Sequence, residues 1–212
     1  FLGESADLSK TFDFIVVGAG SAGCACAARL AKTGASVLLV EAGGEAHRSA
    51  LVQQPRQMIG AWHSEIDWGF RTTPQEHLLP KGRVVELERG KTLGGSSAIN
   101  YNMWVRGARE DYDRWATEFG CPGWSYDEVL PHFRSIERVS KSPDASYDPA
   151  FRGDSGPIAA GLLHPALPEV NDFITACVST GSKKTGDYNG ANLEGVSATQ
   201  FNTAGDSGGR QD

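Results

Sequence analysis

The feature that most constrains the fold is a strand–helix–strand pattern near the start of the chain. Thr11–Val17 forms a nearly continuous apolar run that ends at a glycine. Ser21–Lys32 is rich in Ala, Leu and Arg and is followed by Thr33 and Gly34, which predicts a helix with a glycine C-cap. Ser36–Val40 predicts a second strand. Because continuous apolar runs are typical of buried parallel strands, the pattern predicts a right-handed β-α-β unit in an α/β fold.

The turn between the first strand and the helix has the sequence pattern G-x-G-x-x-G. Gly18 permits the tight turn, Gly20 lets the backbone approach a diphosphate, and Gly23 lets the helix pack closely on the strand. Amide groups at the helix start then face the diphosphate. Glu41 ends the second strand, where its carboxylate accepts hydrogen bonds from both hydroxyls of an adenosine ribose and disfavours a 2′-phosphate. The pattern predicts a dinucleotide site, disfavours NADP, and leaves both NAD and FAD open.

Composition and spacing exclude several other classes of protein. The 212 residues include 20 basic and 26 acidic side chains, a net charge of −6, so a nucleic-acid partner is not expected. Every apolar run is shorter than the roughly 18 residues of a membrane span, which predicts a soluble protein without a transmembrane segment. The four cysteines and five histidines lack metal-ligand spacing, so no metal site is predicted. Because the sequence starts at Phe1 rather than Met, we expect a processed or trimmed N-terminus.

A longer pattern, the second glycine motif, lies at Gly90–Trp104. In it two adjacent glycines precede two serines and the run Asn100–Met103. Together with Arg106-Gly107, the earlier pair Asp67-Trp68 and the later segment Gly123–Phe133, it resembles the first signature and neighbouring motifs of the glucose–methanol–choline (GMC) oxidoreductases. Several spaced motifs occur in the order of that family. The resemblance covers nearly the whole chain.

The resemblance implies an α/β, Rossmann-like FAD-binding domain of the GMC type, with the beginning of a substrate-binding domain, incomplete in this chain. It implies FAD as cofactor. In some members a His just before the Asn of the second motif binds FAD covalently, and Ile99 stands at that position here, so noncovalent FAD is predicted. The implied cofactor-binding residues are Gly18, Gly20, Ser21, Ala22, Gly23, Glu41, Ala42, Trp68, Thr92, Gly95, Ser96, Asn100, Tyr101, Asn102 and Met103.

The same resemblance divides the chain into three parts. Residues 1–10 are predicted to form an arm, residues 11–160 the N-terminal portion of the FAD-binding domain with inserted loops, and residues 161–212 the start of the substrate-binding domain. Sequence outside this chain is expected to complete that second domain.

Local signals predict further elements in the second half of the chain. Ser125 and Glu128 form a capping box, which predicts a helix that extends to Ile136. Ser140–Gly156 is polar and predicts a surface excursion, and Pro168–Gly181 predicts another helix. Three side chains are expected on one face of that last helix: Phe173, Ile174 and Cys177.

The activity implied by the resemblance is the oxidation of an alcohol, in which a His base takes the hydroxyl proton and a hydride moves to flavin N5. In the family that His lies in a later region of the sequence, so no catalytic residue is predicted in this chain. None of its five histidines lies in a motif that indicates a catalytic base: His47, His63, His77, His132 and His164. We expect a small-molecule substrate and a companion polypeptide that carries the C-terminal GMC half, because two parallel strands need further strands to cover them.

Two alternative functions stay open. One is an FAD-dependent lyase on the same fold, similar to the fatty-acid photodecarboxylases, with hydroxynitrile lyases as a further branch. The other is a non-catalytic structural subunit of a larger assembly. The intact motifs at Gly20 and Glu41 argue against the structural subunit, because a purely structural protein needs neither residue.

Overall fold

In the computed structural model, the first regular structure is a parallel β-α-β unit, as the sequence predicts. Strand β1 spans Phe14–Val17, helix α1 spans Ser21–Ala31 and strand β2 spans Val37–Val40. β1 and β2 are parallel neighbours along their whole length. The fold class predicted from the sequence is therefore confirmed, and each of these elements is shorter than its predicted range.

The structure describes residues 9–45, 49–139, 147–162, 167–204 and 209–210. Most of the predicted arm at residues 1–10 lies outside the described residues, as do His47, His164 and residues 140–146 of the predicted surface excursion.

The sheet formed by β1 and β2 leaves apolar side chains exposed. Ile15 is 63% exposed and Val17 is 82% exposed. Within the described ranges, no third strand pairs with either of these two. The expected burial of both strands is therefore not observed in this chain, because the partners that would cover them are not among its described strands.

The rest of the first half consists of short elements around a small apolar core. Helix α2 spans Ala50–Gln53, and the two-residue strands β3, Phe70–Arg71, and β4, Glu86–Leu87, pair in antiparallel fashion. Two 3₁₀ helices span Pro55–Ala61 and Gly95–Ala98. The buried core side chains are Val52, Ala61, Ile66, Ala98 and Ile99. Within the second glycine motif, the short helix Gly95–Ala98 thus contributes Ala98 to this core.

The described part of the second half combines three helices with a three-stranded mixed sheet. The sheet has the order β5-β6-β7, with β5 and β6 parallel and β6 and β7 antiparallel. The three strands are β5 at Glu137–Val139, β6 at Ile158–Leu162 and β7 at Gln200–Phe201. The three helices are α3 at Arg109–Thr117, α4 at Tyr126–Ile136 and α5 at Pro168–Ser179. A last antiparallel pair consists of β8, Thr203–Ala204, and β9, Gly209–Arg210.

The predicted cap of α4 is present. The Glu128 carboxylate accepts hydrogen bonds from the Ser125 amide at 3.0 Å and from the Ser125 hydroxyl at 2.6 Å. These bonds, together with the electrostatic preference of the helix start for a carboxylate, stabilise the first turn. The hydrogen bonds from Ser125 lower the pKa of Glu128, and its slight desolvation opposes them.

On α5, Ile174 is 8% exposed and packs inside, whereas Phe173 is 65% exposed. One local expectation in this half is wrong. The predicted surface excursion contains Arg152, which is 2% exposed and bonded to other buried polar groups. The polar composition of the segment predicts an exposed position, but a buried guanidinium is stable when carboxylates surround it.

Internal contacts divide the chain into two compact units, Phe1–Tyr101 and Asn102–Asp212. This division reflects where contacts within the chain are dense. The predicted boundaries at residues 10 and 160 instead separate the arm, the FAD-binding portion and the start of the substrate-binding domain. They stay a prediction. Every helix in the described part of the chain is too short or too polar to span a lipid bilayer.

Candidate cofactor-binding site

The first glycine motif forms the turn between β1 and α1. Gly18 has a φ of 94°, a conformation that side chains other than glycine rarely adopt, and its amide donates to the Val40 carbonyl at 2.7 Å. Helix α1 begins at Ser21 with Gly20 at its N-cap, and no side chain among the described residues caps this end. The exposed Ser21 and Ala22 therefore present first-turn amides that suit an anionic group.

Gly20 and Gly23 are glycines for different physical reasons. A Cβ added to Gly23 would lie 1.8 Å from the Gly18 carbonyl oxygen, so the close packing of helix on strand requires glycine there. A Cβ added to Gly20 would meet its nearest protein atom, the Cα of Gly95, only at 3.9 Å. Packing alone therefore tolerates a side chain at position 20, and the missing side chain leaves space for a ligand.

Glu41 follows β2 and joins the two turns at the carboxyl ends of the strands. One carboxylate oxygen accepts the amide of Ala19 at 2.7 Å and the other accepts the amide of Gly43 at 3.0 Å. A carboxylate has about four lone-pair sites, so acceptor capacity remains for ribose hydroxyls. Ala42, the next residue, is exposed at the same place.

The second glycine motif lies across both of these turns. The Gly94 amide donates to the Ala19 carbonyl at 2.8 Å, and a Cβ added to Gly95 would lie 2.8 Å from the Cα of Gly20. On the other side, the Thr92 hydroxyl donates to the Gly44 carbonyl at 2.6 Å. The structure thus brings together the predicted site residues of the first motif, Glu41, Thr92 and Gly95.

Trp68 and Ser96 border this motif. The Trp68 ring is 44% exposed, stacks on Phe70 with 5.7 Å between ring centroids, and lies 4.9 Å from the Lys91 ammonium. Ser96 is exposed, and its hydroxyl oxygen accepts the Gly90 amide at 3.2 Å.

The run Asn100–Met103 is divided between the two compact units. Asn100 and Tyr101 end the first unit, and the half-exposed Tyr101 ring packs edge-on against Trp62 at 5.4 Å. Asn102 and Met103 begin the second unit. Asn102 is buried with a left-handed φ of 57°, whereas Met103 is 57% exposed.

Three residues shape this region although the sequence analysis gives them no role in the site: Gly43, Asp67 and Gly90. A Cβ at Gly43 would lie 1.9 Å from the Lys91 carbonyl oxygen, and a Cβ at Gly90 would lie 2.0 Å from the Gly95 carbonyl oxygen. Burial raises the pKa of Asp67, but hydrogen bonds from nearby backbone amides outweigh that effect and lower it overall. For Gly43 the adjacent glycines at 43 and 44 were the available signal, but its packing on Lys91 joins residues about 50 apart in sequence, which no local pattern reveals.

The described histidines are exposed. His63 lies 3.2 Å from a Glu86 carboxylate oxygen, and His77 and His132 lie at the surface. Within the ranges that the structure describes, no group of three or more His, Cys, Asp or Glu side chains is arranged to hold a metal ion.

Comparison with known proteins identifies the family to which this geometry corresponds. A sequence profile described as GMC oxidoreductase matches residues 12–212. The chain belongs to the GMC oxidoreductase family. The resemblance noted in the sequence motifs is thereby confirmed, and the α/β unit with its two glycine motifs is the N-terminal FAD-binding portion of the family fold.

Similar proteins include oxidoreductases of known structure. The chain is 42% identical over 192 residues to an oxygen-dependent choline dehydrogenase from Photobacterium profundum, a match that covers 89% of this chain and 32% of the relative. Pyridoxine 4-oxidase from Mesorbium loti matches with a TM-score of 0.82 and 32% identity, over 94% of this chain and 38% of that one. Formate oxidase from Aspergillus oryzae, studied for its FAD modification, matches with a TM-score of 0.81 and 30% identity, over 94% and 35%.

The chain therefore spans about a third of the length of these relatives. The family and its FAD-containing structural neighbours support FAD as the cofactor. The residues present fit that group, because an uncapped helix start, a side-chain-free Gly20 and a carboxylate at Glu41 lie together.

Proposed function

We propose that this chain binds FAD noncovalently in a GMC oxidoreductase that oxidises an alcohol. The observation that supports the proposal best is the packing of Gly95 on Gly20, beside Glu41, at the carboxyl ends of β1 and β2. Open parallel sheets bind their ligands at this end of the strands. When bound, FAD supplies a hydride acceptor, its N5 atom, for alcohol oxidation.

The chain's own residues bind and orient the cofactor in this proposal. The first-turn amides of Ser21 and Ala22 bind the diphosphate, and Glu41 binds the adenosine ribose. The exposed Trp68, Ser96, Asn100, Tyr101 and Met103 contact the remainder of FAD, whereas the buried Thr92 and Asn102 hold the backbone behind them. These roles are supported by the placement of the first-motif residues, Glu41 and Thr92 around the same turns.

Noncovalent attachment is supported by Ile99. Its aliphatic side chain has no nucleophilic atom, is 2% exposed and packs in the core with Val52 and Ala61. A flavin bond from this position is therefore chemically excluded. We propose that FAD is held by hydrogen bonds and packing alone.

The proposed catalytic base is a His supplied by the C-terminal GMC half, which we propose is carried by a companion polypeptide. The exposure of Ile15 and Val17 supports a covering partner, because an apolar parallel strand is ordinarily buried on both faces. The oxidised substrate is a small alcohol that loses its hydroxyl proton to that base.

The first test concerns FAD binding. In the intact protein, Gly20→Val is expected to remove FAD, because its side chain would fill the space left for the diphosphate while its Cβ makes only ordinary contact with the protein, at 3.9 Å from Gly95 Cα. Gly186→Val is the matched control, since a Cβ there meets no atom within 4 Å and the position lies in the other unit. Flavin content is measured by visible absorbance and folding by circular dichroism. A Gly20→Val protein with full flavin content would overturn the placement of the diphosphate.

Two measurements on the unmodified protein test the remaining parts of the proposal. Acid precipitation should release all flavin into the supernatant, and flavin retained in the pellet would refute noncovalent binding.

Peptide mapping of the native particle by mass spectrometry should detect a downstream GMC segment with a His–His or His–Asn pair. A segment with pocket Cys and Arg instead would favour a photodecarboxylase-like lyase, and no such segment would favour a structural subunit.

A further inference from the structure

The carboxylate of Asp67 lies at the centre of the turn that carries Trp68. The residue is 8% exposed, and one oxygen accepts the His63 amide at 2.9 Å. The other oxygen accepts the Gly69 amide at 3.0 Å and the Arg89 amide at 2.9 Å. A single side chain thus accepts three backbone amides and joins its own turn to the segment at Arg89. Among the uncharged and anionic side chains, a carboxylate suits this arrangement because it has acceptor capacity and no donor.

The turn around Asp67 contains two backbone conformations that need support. His63 and Gly69 both have a φ of 59°, in the left-handed region. This region is unfavourable for a residue with a side chain, such as His63, and persists only where the surroundings stabilise it. The amides of both residues point to the Asp67 carboxylate, which therefore stabilises the conformation of the turn.

Further backbone bonds connect this turn to the second glycine motif. The Trp68 amide donates to the Arg89 carbonyl at 2.8 Å, and the Lys91 amide donates to the Ile66 carbonyl at 2.7 Å. Asp67 and Gly90 are paired as an antiparallel bridge between these segments. The position of the chain at residues 89–91 therefore depends on the turn that Asp67 organises.

From Gly90 the contacts continue to the first motif. Gly90 packs so closely on Gly95 that an added Cβ would lie 2.0 Å from the Gly95 carbonyl oxygen, and Gly95 packs in turn on Gly20. A shift of Gly90 must therefore move Gly95 relative to the turn that follows β1. All three residues of this path are glycines, so backbone packs directly on backbone.

We propose that Asp67 is a positioning residue of the FAD site, and that its carboxylate fixes the second glycine motif against the first. This inference rests on the proposed FAD-binding function. Asp67 acts through the backbone of Arg89 and Gly90 and needs no contact with FAD itself. The same turn also sets the position of Trp68 beside Lys91.

The test compares Asp67→Asn with Asp13→Asn in the intact protein. Asparagine keeps the shape of the side chain but places an NH₂ group opposite one of the three backbone amides, where two donors face each other. Asp13 is the matched control: it lies in the same unit, it is exposed, and its carboxylate accepts the Ser36 amide at 2.8 Å and the Ser36 hydroxyl at 2.7 Å. It belongs to neither glycine motif.

The first readout is amide hydrogen exchange without added flavin. Asp67→Asn is expected to raise the amide exchange rate about tenfold at residues 63–69 and 89–96 and to leave that of β1 unchanged. A tenfold rise corresponds to the local stability contributed by one or two hydrogen bonds. Asp13→Asn should leave both segments as in the unmodified protein. Unchanged exchange at residues 89–96 in Asp67→Asn would overturn the inference.

The second readout is the bound flavin. Asp67→Asn is expected to weaken FAD binding about tenfold and to shift the visible absorption band, whereas Asp13→Asn changes neither. Raised exchange with unchanged affinity and band would show that Asp67 orders the turn only, and would overturn its role toward FAD. Unmodified protein that binds no FAD would refute the proposed function, while the exchange data would still decide whether Asp67 positions the motif.

A third measurement needs no variant and covers the case in which Asp67→Asn fails to fold. Addition of FAD to the flavin-free unmodified protein should slow amide exchange at residues 89–96 by at least threefold. Protection confined to residues 18–23 would show that the loop held by Asp67 is not part of the cofactor site, and would overturn the inference.

Discussion

The carboxylate of Glu41 has a role at the scale of a single residue that its sequence position only partly indicates. An acidic residue at the end of the second strand predicts a ribose ligand. In the structure the same carboxylate also accepts the amides of Ala19 and Gly43, so it holds the two turns at a fixed separation. Glu41 therefore connects the two turns that form the proposed site.

We predict that Glu41→Gln weakens FAD binding by about 1.5–3 kcal/mol for each charge-assisted hydrogen bond that it removes. The amide group retains one acceptor oxygen but presents a donor to the second backbone amide. Titration of flavin-free protein with FAD, followed by flavin fluorescence, gives the affinity. Glu45→Gln is the control, an exposed acid in the loop after β2. Equal affinities for Glu41→Gln and the unmodified protein would show that Glu41 contributes nothing to binding.

At the scale of secondary-structure elements, a buried charged cluster holds the second unit together. Glu137 at the start of β5 is fully buried and accepts hydrogen bonds from Arg106, from Arg152 at 2.7 Å, from the Gly153 amide at 2.9 Å and from the Trp104 indole at 2.9 Å. Arg152 in turn bonds to Asp187 and Gln200. Two guanidinium groups and two carboxylates balance in charge, which makes burial of all four tolerable.

We predict that this cluster makes the stability of the protein depend on pH. Burial raises the pKa of Glu137, but hydrogen bonds from Arg152, Gly153 and Trp104 outweigh burial and hold the pKa below its ordinary value of 4.5. A carboxylate with a lowered folded-state pKa stabilises the fold above the unfolded-state pKa. That stabilisation is lost as the pH falls below 4.5 toward the folded-state pKa.

Glu137→Gln should therefore lower the free energy of unfolding by about 3–5 kcal/mol at neutral pH, because Arg106 loses its carboxylate partner and Arg152 keeps only Asp187. It should also flatten the decrease in stability below pH 4.5. Urea unfolding across the pH range measures both effects. Glu169→Gln, in the exposed first turn of α5, is the control and should follow the unmodified protein. If the free energy of unfolding of Glu137→Gln still falls below pH 4.5 as steeply as that of the unmodified protein, the pH dependence comes from other groups.

The elements predicted correctly are those specified by neighbouring residues. The β-α-β unit follows from apolar runs and one glycine motif, and the cap of α4 follows from Ser125 and Glu128, three residues apart. The contact of Gly95 with Gly20 and the burial of Arg152 could not be predicted, because each depends on partners far along the chain. Nor does helical spacing decide which of Phe173 and Ile174 is buried, because it identifies a face but not the surface that the face meets.

At the scale of the whole molecule, the sheet of β1 and β2 is an exposed apolar surface among the described residues. Phe14, Ile15, Val17 and Val40 are exposed, although the sequence of both strands is typical of strands covered on both faces. Exposed apolar strands with free edges tend to pair with other chains. The proposed companion half would cover this surface and complete the sheet.

We predict that Val17→Asp, at an 82% exposed position of β1, reduces both the co-purification of the companion half and the flavin content of the particle. A charge at this position opposes burial under a partner, since an unpaired buried carboxylate is strongly unfavourable. Size-exclusion chromatography with peptide mapping measures the assembly, and visible absorbance measures the flavin. Val84→Asp is the matched control, because Val84 is 44% exposed in the same unit and lies outside this sheet. If Val17→Asp assembles with full flavin while Val84→Asp behaves alike, β1 faces solvent in the native particle, and the completing half must bind elsewhere.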